Sequence, residues 1–157
     1  MKWTLEGKTA LITGATKGIG KAIVEEFLKL GASVYLVGRN EKTLADAMVE
    51  FNRFSERLDG SVADLSIPGD RNELVSKVAG KWGKLDVLVN NVGTNIRKKS
   101  HEYTDEEVEF IFQTNLKSAY DLSRNCHHYQ YFICCRIDQP ENRFGVRHDQ
   151  GSHGSDD

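Results

Sequence analysis

Proline is scarce in this chain. There are two in 157 residues, Pro68 and Pro140, and neither falls inside an apolar periodic segment, so neither breaks a predicted element. Cysteine is missing from the first 125 residues. Cys126, Cys134 and Cys135 all come later, as do four of the five histidines, His127, His128, His148 and His153. That late set holds no C-x-x-C or H-x-x-x-H pair, the spacing a zinc site needs, and no metal site is predicted. A large excess of one charge is lacking too. The formal net charge of -2 argues against a nucleic-acid partner by bulk electrostatics. No apolar run is longer than a strand, so no membrane span is predicted. The opening residues Met1, Lys2, Trp3, Thr4, Leu5 and Glu6 hold no apolar signal core, and the cytoplasm is the expected location. Solenoid-type repeats are absent.

What is present reads as alternating strands and helices. Thr9 to Thr13 is a short apolar run ending at glycine, as a buried parallel strand does. Ile19, Ile23, Phe27 and Leu30 then recur at helical spacing, and Gly31 is a suitable stop. Ser33 to Val37 is a second strand, and Leu44, Met48 and Phe51 mark a second helix. Ser61 and Val62 end a weak third strand; Leu74, Val78 and Trp82 mark a third helix. Leu85 to Val89 is the clearest strand of all. Thr104 and Glu107 form a T-x-x-E capping box. It opens a helix carrying Val108, Ile111 and Phe112, continued through Leu116, Ala119 and Tyr120. The alternation predicts right-handed βαβ units and an α/β fold with a doubly wound, Rossmann-like parallel sheet. At this length it forms one domain with a real core.

The chemistry concentrates at strand ends. Gly14, Ala15, Thr16, Lys17, Gly18, Ile19 and Gly20 join the first strand to the first helix. Glycines there allow a tight turn and let backbone N–H groups approach a pyrophosphate at the helix N-terminus. Arg39 follows the second strand, where an acidic residue would bind an adenosine ribose hydroxyl. An arginine instead suits a 2′-phosphate. Lys17 adds a second positive charge. The pair favours NADP(H) over NAD(H).

Thr13 to Gly20, then Asp64, then Asn90-Asn91-Val92-Gly93, then Asn115 in a helix resembles the ordered signature of the short-chain dehydrogenase/reductase family. Trp3 to Gly20, Gly38-Arg39-Asn40 and Asn95-Ile96-Arg97-Lys98 look like its tropinone-reductase-like branch. Val92 is a departure, standing where the family usually has alanine. The resemblance covers residues 3 to about 125. It implies an NADP(H)-dependent oxidoreductase interconverting a small ketone and a secondary alcohol, and a homo-oligomer. Asp64 and Leu65 would hold the adenine, and Asn91 and Gly93 would line the cofactor. Asn115 is similar to the family's active-site asparagine, which kinks its helix and binds a water in the proton relay. Lys98, Lys99 and His101 are expected to be solvated surface residues.

The same resemblance shows what is missing. The family uses a serine that bonds the substrate oxygen, a tyrosine that transfers the proton, and a lysine four residues later that lowers the tyrosine's pKa. These are ordinary acid–base and electrostatic roles. After Asn115 the tyrosines are Tyr120, Tyr129 and Tyr131, followed at the fourth position by Arg124, Ile133 and Cys135. Read one nucleotide later, codons for Tyr129 to Arg136 permit I-N-I-S-S-V-A-G, and those for Val146 to Gly151 permit Y-G-M-T-K. Residues 126–157 are therefore expected to be an out-of-frame, largely disordered tail, with the shift near Asn125 to His128. The expected sheet is truncated to about its first four strands in the family order 3-2-1-4, and the oligomer interface is damaged. Leu85 to Val89 would be an open edge, which invites aggregation, with Tyr129 to Ile137 as a substitute fifth strand. Such a chain would lack turnover. The alternatives are a non-catalytic dinucleotide-binding fragment and a non-functional truncated product.

Overall fold

The computed structural model describes residues 3–125 and the backbone of 131–134. The predicted frame-shifted tail, its disorder and the late cysteines and histidines otherwise lie outside the described residues. In chain order the elements are β1 (Thr9–Thr13), α1 (Gly18–Lys29), β2 (Ser33–Gly38), α2 (Glu41–Glu50), β3 (Leu58–Val62), α3 (Pro68–Trp82), β4 (Val87–Asn90), α4 (Asp105–Phe112), α5 (Ser118–Asn125) and β5 (Tyr131–Cys134). A π-helical turn, Gln113–Lys117, joins α4 to α5.

All strand pairs are parallel, in the order β3-β2-β1-β4-β5. The first four strands stand in the expected order, and β5 adds a fifth. Val87 to Asn90 pair with Tyr131 to Cys134, inside the segment predicted as a substitute edge. Both sheet faces are buried. Ala10, Ile12, Val34, Leu36, Val87 and Val89 point into the core beneath α1 and α2. Their neighbours Leu11, Tyr35, Val37 and Leu88 point the other way, onto Leu74 and Val78 of α3 and Leu122 of α5. Period-2 alternation with apolar residues on both faces is what a parallel sheet between helical layers requires. Each such aliphatic side chain contributes about 2 kcal/mol by leaving water.

The helix ends follow their local chemistry. Pro68 opens α3, where its missing N–H costs nothing. Gly83 closes it in the left-handed region. Asn40 caps α2 by accepting from the Thr43 N–H. The predicted capping box of α4 forms, with Thr104 and Glu107 each accepting from the other's backbone.

Two predicted helix faces differ in the structure. On α1 the innermost row is Gly20, Val24 and Leu28; Ile23 and Phe27 flank it, and Ile19 is half exposed. The small Gly20 lets the helix approach the sheet along that row. On α4, the π-turn and α5, the apolar positions Val108, Phe112, Leu116 and Tyr120 are exposed by 38, 56, 62 and 56%. Phe112, Leu116 and Tyr120 line a shallow dent of about 440 Å³. Helical periodicity finds an apolar face but does not say that the same chain covers it. No helix among the described residues is long and apolar enough to cross a membrane.

At the N-terminal end of the sheet, Thr9 and Asp86 tie β1 to the residues before β4. The Thr9 N–H donates to Asp86 Oδ2 at 2.8 Å, and Lys84 pairs with the same carboxylate at 3.2 Å. Burial raises the Asp86 pKa, but the Thr9 N–H and Lys84 outweigh it and hold the carboxyl below its ordinary value.

Candidate functional site

At the opposite end of β1 the chain makes its glycine turn. Gly14 and Gly18 have φ of 62° and 55°, the left-handed region that glycine enters without a Cβ penalty. Gly20 serves by close approach. A Cβ there would lie 2.2 Å from the Gly14 carbonyl oxygen and 2.4 Å from Asn91 Nδ2. The turn opens α1 at Lys17, whose backbone is extended. No side chain caps this helix and no acidic residue occupies its first turn. The free N–H groups and positive end of the helix dipole are therefore left for an anion.

β2 ends against this turn. The Ala15 N–H donates to the Val37 carbonyl at 3.0 Å, and a Cβ on Gly38 would meet Thr16 Cγ2 at 2.5 Å. That contact sets Arg39, the next residue, beside the turn. Arg39 and Lys17 are exposed, and neither side chain makes a hydrogen bond or ion pair with a described residue. Two cations with no partner among the described residues stand next to an open helix N-terminus.

β4 closes the other side. Thr13 Oγ1 donates to the Val89 carbonyl and accepts from the N–H groups of Asn91 and Val92. Asn91 Nδ2 donates to the carbonyls of Thr13 and Gly14 at 3.2 and 3.0 Å. Asn91 is 2% exposed, and its Oδ1 is buried without a hydrogen-bond partner among the described residues. Such an orphan acceptor is rare and costly. Together with the uncapped helix and the two free cations, it fits a polar, anionic group lying across the turn.

At the end of β3 the Ala63 N–H donates to the Gly38 carbonyl. The Asp64 carboxylate accepts from the N–H and hydroxyl of Ser66 at 2.9 and 2.7 Å. Leu65 as a whole is 2% exposed, and its side chain packs in the core beside Leu74 and Val78. Its carbonyl accepts from Arg71 Nη1 at 2.7 Å.

Asn115 lies within the π-turn, where the helix departs from α geometry. Such bulges recur at functional sites. Its amide grips the loop after β4, Oδ1 accepting from the Thr94 N–H at 2.7 Å and Nδ2 donating to the Thr94 carbonyl at 2.8 Å. A Cβ on Gly93 would sit 3.8 Å from the same Oδ1. Lys98 was expected to be a solvated charge; instead its ammonium pairs with Glu107 at 2.5 Å and lies over the Tyr103 ring. The Glu107 pKa is lowered by Lys98 and by the Thr104 N–H. Tyr103 donates to the Ile96 carbonyl, so the 95–99 loop is held against the start of α4. Lys99 and His101 are exposed as expected.

Sequence reasoning missed Arg71. It is 1% exposed, and no apolar pattern marks it, because a charged helix residue reads as solvated. Among the described residues no group of three or more histidine, cysteine or acidic side chains could hold a metal.

Comparison with known proteins agrees with this geometry. A tropinone reductase homolog of Arabidopsis thaliana is 44% identical over 127 residues, 80% of this chain and 48% of that protein. A chloroplastic tropinone reductase homolog of the same plant is 46% identical over 122 residues, 77% of this chain and 38% of that protein. The chain therefore spans about half the length of the curated relatives it matches. Among solved structures, L-sorbose reductase from Gluconobacter frateurii, complexed with NADPH and L-sorbose, superposes with a TM-score of 0.76 at 34% identity, covering 80% of this chain and 48% of that one. A blue fluorescent protein from a metagenomic library, in complex with NADPH, gives 0.74 at 25% identity, covering 78% and 51%. The short chain dehydrogenase family model matches residues 8–131, and with the glycine turn, the strand order and the Asn91 brace all in place, the chain belongs to that family.

Proposed function

We propose that residues 1–125 are the NADP(H)-holding half of an oxidoreductase that interconverts a small ketone and a secondary alcohol. The observation that carries this reading is the unpartnered pair Arg39 and Lys17 beside an uncapped α1. Gly14, Thr16, Lys17, Gly18, Ile19 and Gly20 would receive the pyrophosphate. Arg39 and Lys17 would take the 2′-phosphate. Asp64 and the Leu65 backbone would meet the adenine, and Asn91 and Gly93 would line the nicotinamide side. The cofactor, when bound, supplies or accepts the hydride. Asn115 is the family's proton-relay asparagine by position, and its grip on Thr94 supports that role. NADPH-bound relatives support the cofactor assignment.

These residues alone would hold the dinucleotide without turning it over. The chain carries no Tyr-x-x-x-Lys after Asn115, and nothing else here supplies proton transfer and oxyanion polarisation together. The tail from residue 126 is read as out of frame. Sequencing the coding DNA from codon 115 onward tests this, and codons incompatible with the shifted reading would end the idea. The exposed apolar row of α4 and α5 would be what this chain retains of the family's association face, an interface otherwise read as damaged.

Fluorescence titration with NADPH and NADH decides the binding half. Micromolar NADPH binding is expected, tighter than NADH by about a hundred-fold, roughly ten-fold for each of two charge-assisted contacts, with no ketone-dependent NADPH oxidation. Equal affinity for the two nucleotides, or none for either, would sink the reading.

A further inference from the structure

Arg71 is the one fully buried cation among the described residues, and the proposed binding role does not use it. It lies in the first turns of α3, at the end of the sheet that carries the glycine turn. Nη1 donates to the Leu65 carbonyl at 2.7 Å. Nη2 donates to Gln113 Oε1 at 3.2 Å and pairs with Asp121 Oδ2 at 3.0 Å. Asp121 in turn holds Lys117 at 2.8 Å. Gln113 and Lys117 are the first and last residues of the π-turn that carries Asn115. One guanidinium therefore joins the turn after β3, which contains Asp64, to both ends of the turn that contains Asn115.

Burying a cation is costly unless the geometry yields compensating bonds. Here the Nε remains without a partner, so the compensation is incomplete. A leucine or methionine would fill the same place between α3 and α5 without that cost. The planar fork does what an apolar side chain cannot, because it fixes three acceptors on separate segments in one arrangement. A lysine keeps the charge but not the fork.

We infer that Arg71 is a positioning residue that locks the Asp64–Leu65 turn and the Asn115 π-turn into one register, so that the two ends of the dinucleotide cleft are formed together. The inference rests on the dinucleotide reading for its ligand but not for its geometry. The guanidinium meets the cleft only at the Leu65 carbonyl, and otherwise acts through Gln113 and Asp121.

The test uses the full chain with R71K, R71M and D121N. Two readings are taken: NADPH titration, and amide hydrogen exchange of the ligand-free protein. The Asp64, Ser66 and Ile67 amides are hydrogen-bonded locally, so their exchange reports the first turn. Residues 113–117 report the second. Expected for R71K is a loss of NADPH affinity of about ten-fold, the range of a modest coupling between sites. Exchange should rise in both segments together while residues 10–12 and 34–37 stay protected. D121N should raise exchange across the gap at 64–67, although it lies on α5. If R71K binds NADPH as the parent does, or if exchange rises in one segment only, the positioning role is wrong. A uniform rise that includes the central strands marks Arg71 as a general stability element and also overturns it. If the parent chain itself binds no NADPH, the dinucleotide reading fails, and the exchange pattern alone decides the role of Arg71.

Discussion

The two ends of β1 are built from the same kind of part and finished differently. At its start, Thr9 meets Asp86, and the carboxylate is met by a backbone N–H, a hydroxyl and Lys84. At its finish, Thr13 meets Asn91, and one amide oxygen is left without a partner. Helix ends repeat the contrast. α4 begins with its own capping box and Asp105, Glu106 and Glu107 in its first turn, whereas α1 begins with a lysine and no cap. A chain that satisfies its polar groups at one end of a sheet can do so at the other. Where it leaves them open, the surface offers polar groups that the described fold does not use.

The sharpest way to break the contrast is Gly20→Ala. Its Cβ would strike the Gly14 carbonyl, which is backbone and cannot swing away. A loss of about 3 kcal/mol in denaturant unfolding is expected, in the range of overpacked sites, together with abolished NADPH binding. Full stability with retained binding would contradict the geometry.

Asp86→Ala attacks the closed end. It leaves the buried Thr9 N–H without its acceptor, at about 2 kcal/mol, and should not change the preference for NADPH over NADH. Because the folded Asp86 pKa is lowered, its contribution is fully present above the ordinary carboxylate range. It is lost as pH falls below about 4 and through the lowered value. Unfolding curves from pH 6 downward should show that acid arm in the parent and a flatter one in the variant.

Arg39→Ala attacks the open end. Stability should hold, because the side chain makes no described contact, while NADPH affinity falls about ten-fold toward that for NADH. The smallest effect, and the most telling sign, belongs to Lys17→Asp. An aspartate at that extended N-cap position would satisfy α1's own N–H groups and raise stability by up to about 1 kcal/mol, yet it should repel NADPH. Stability and binding moving together would erase the contrast.

The layered fold was legible because both periodicities are strong. Ala10, Leu11 and Ile12 mark a strand buried on both sides, and Thr104 with Glu107 marks a helix start. The glycine turn was legible because its spacing is local. What sequence could not show depends on segments meeting at a distance. The Lys98–Glu107 pair needs the intervening loop to turn back. Arg71 needs α3 to lie beside α5. The exposure of Phe112 and Leu116 depends on what covers a helix, which periodicity never encodes. The π-turn at Asn115 is a one-residue slip in helical register, too small to disturb a pattern read in steps of three and four; only the family resemblance, with its helix-kinking asparagine, points to it.

The strand order also sets a schedule. β1 is the centre of the sheet and the first strand to be synthesised, yet its partner on one side, β4, lies some 77 residues further along, the separation of the Thr9–Asp86 bond. On a ribosome adding about 5–20 residues per second, β1 can dock with β2 early but must wait several seconds for its other edge. During that wait Ala10, Leu11 and Ile12 present unpaired backbone on an apolar strand. Late closure of distant parallel pairs slows folding, so the most protected strand of the finished protein is the one longest at risk while it is being made.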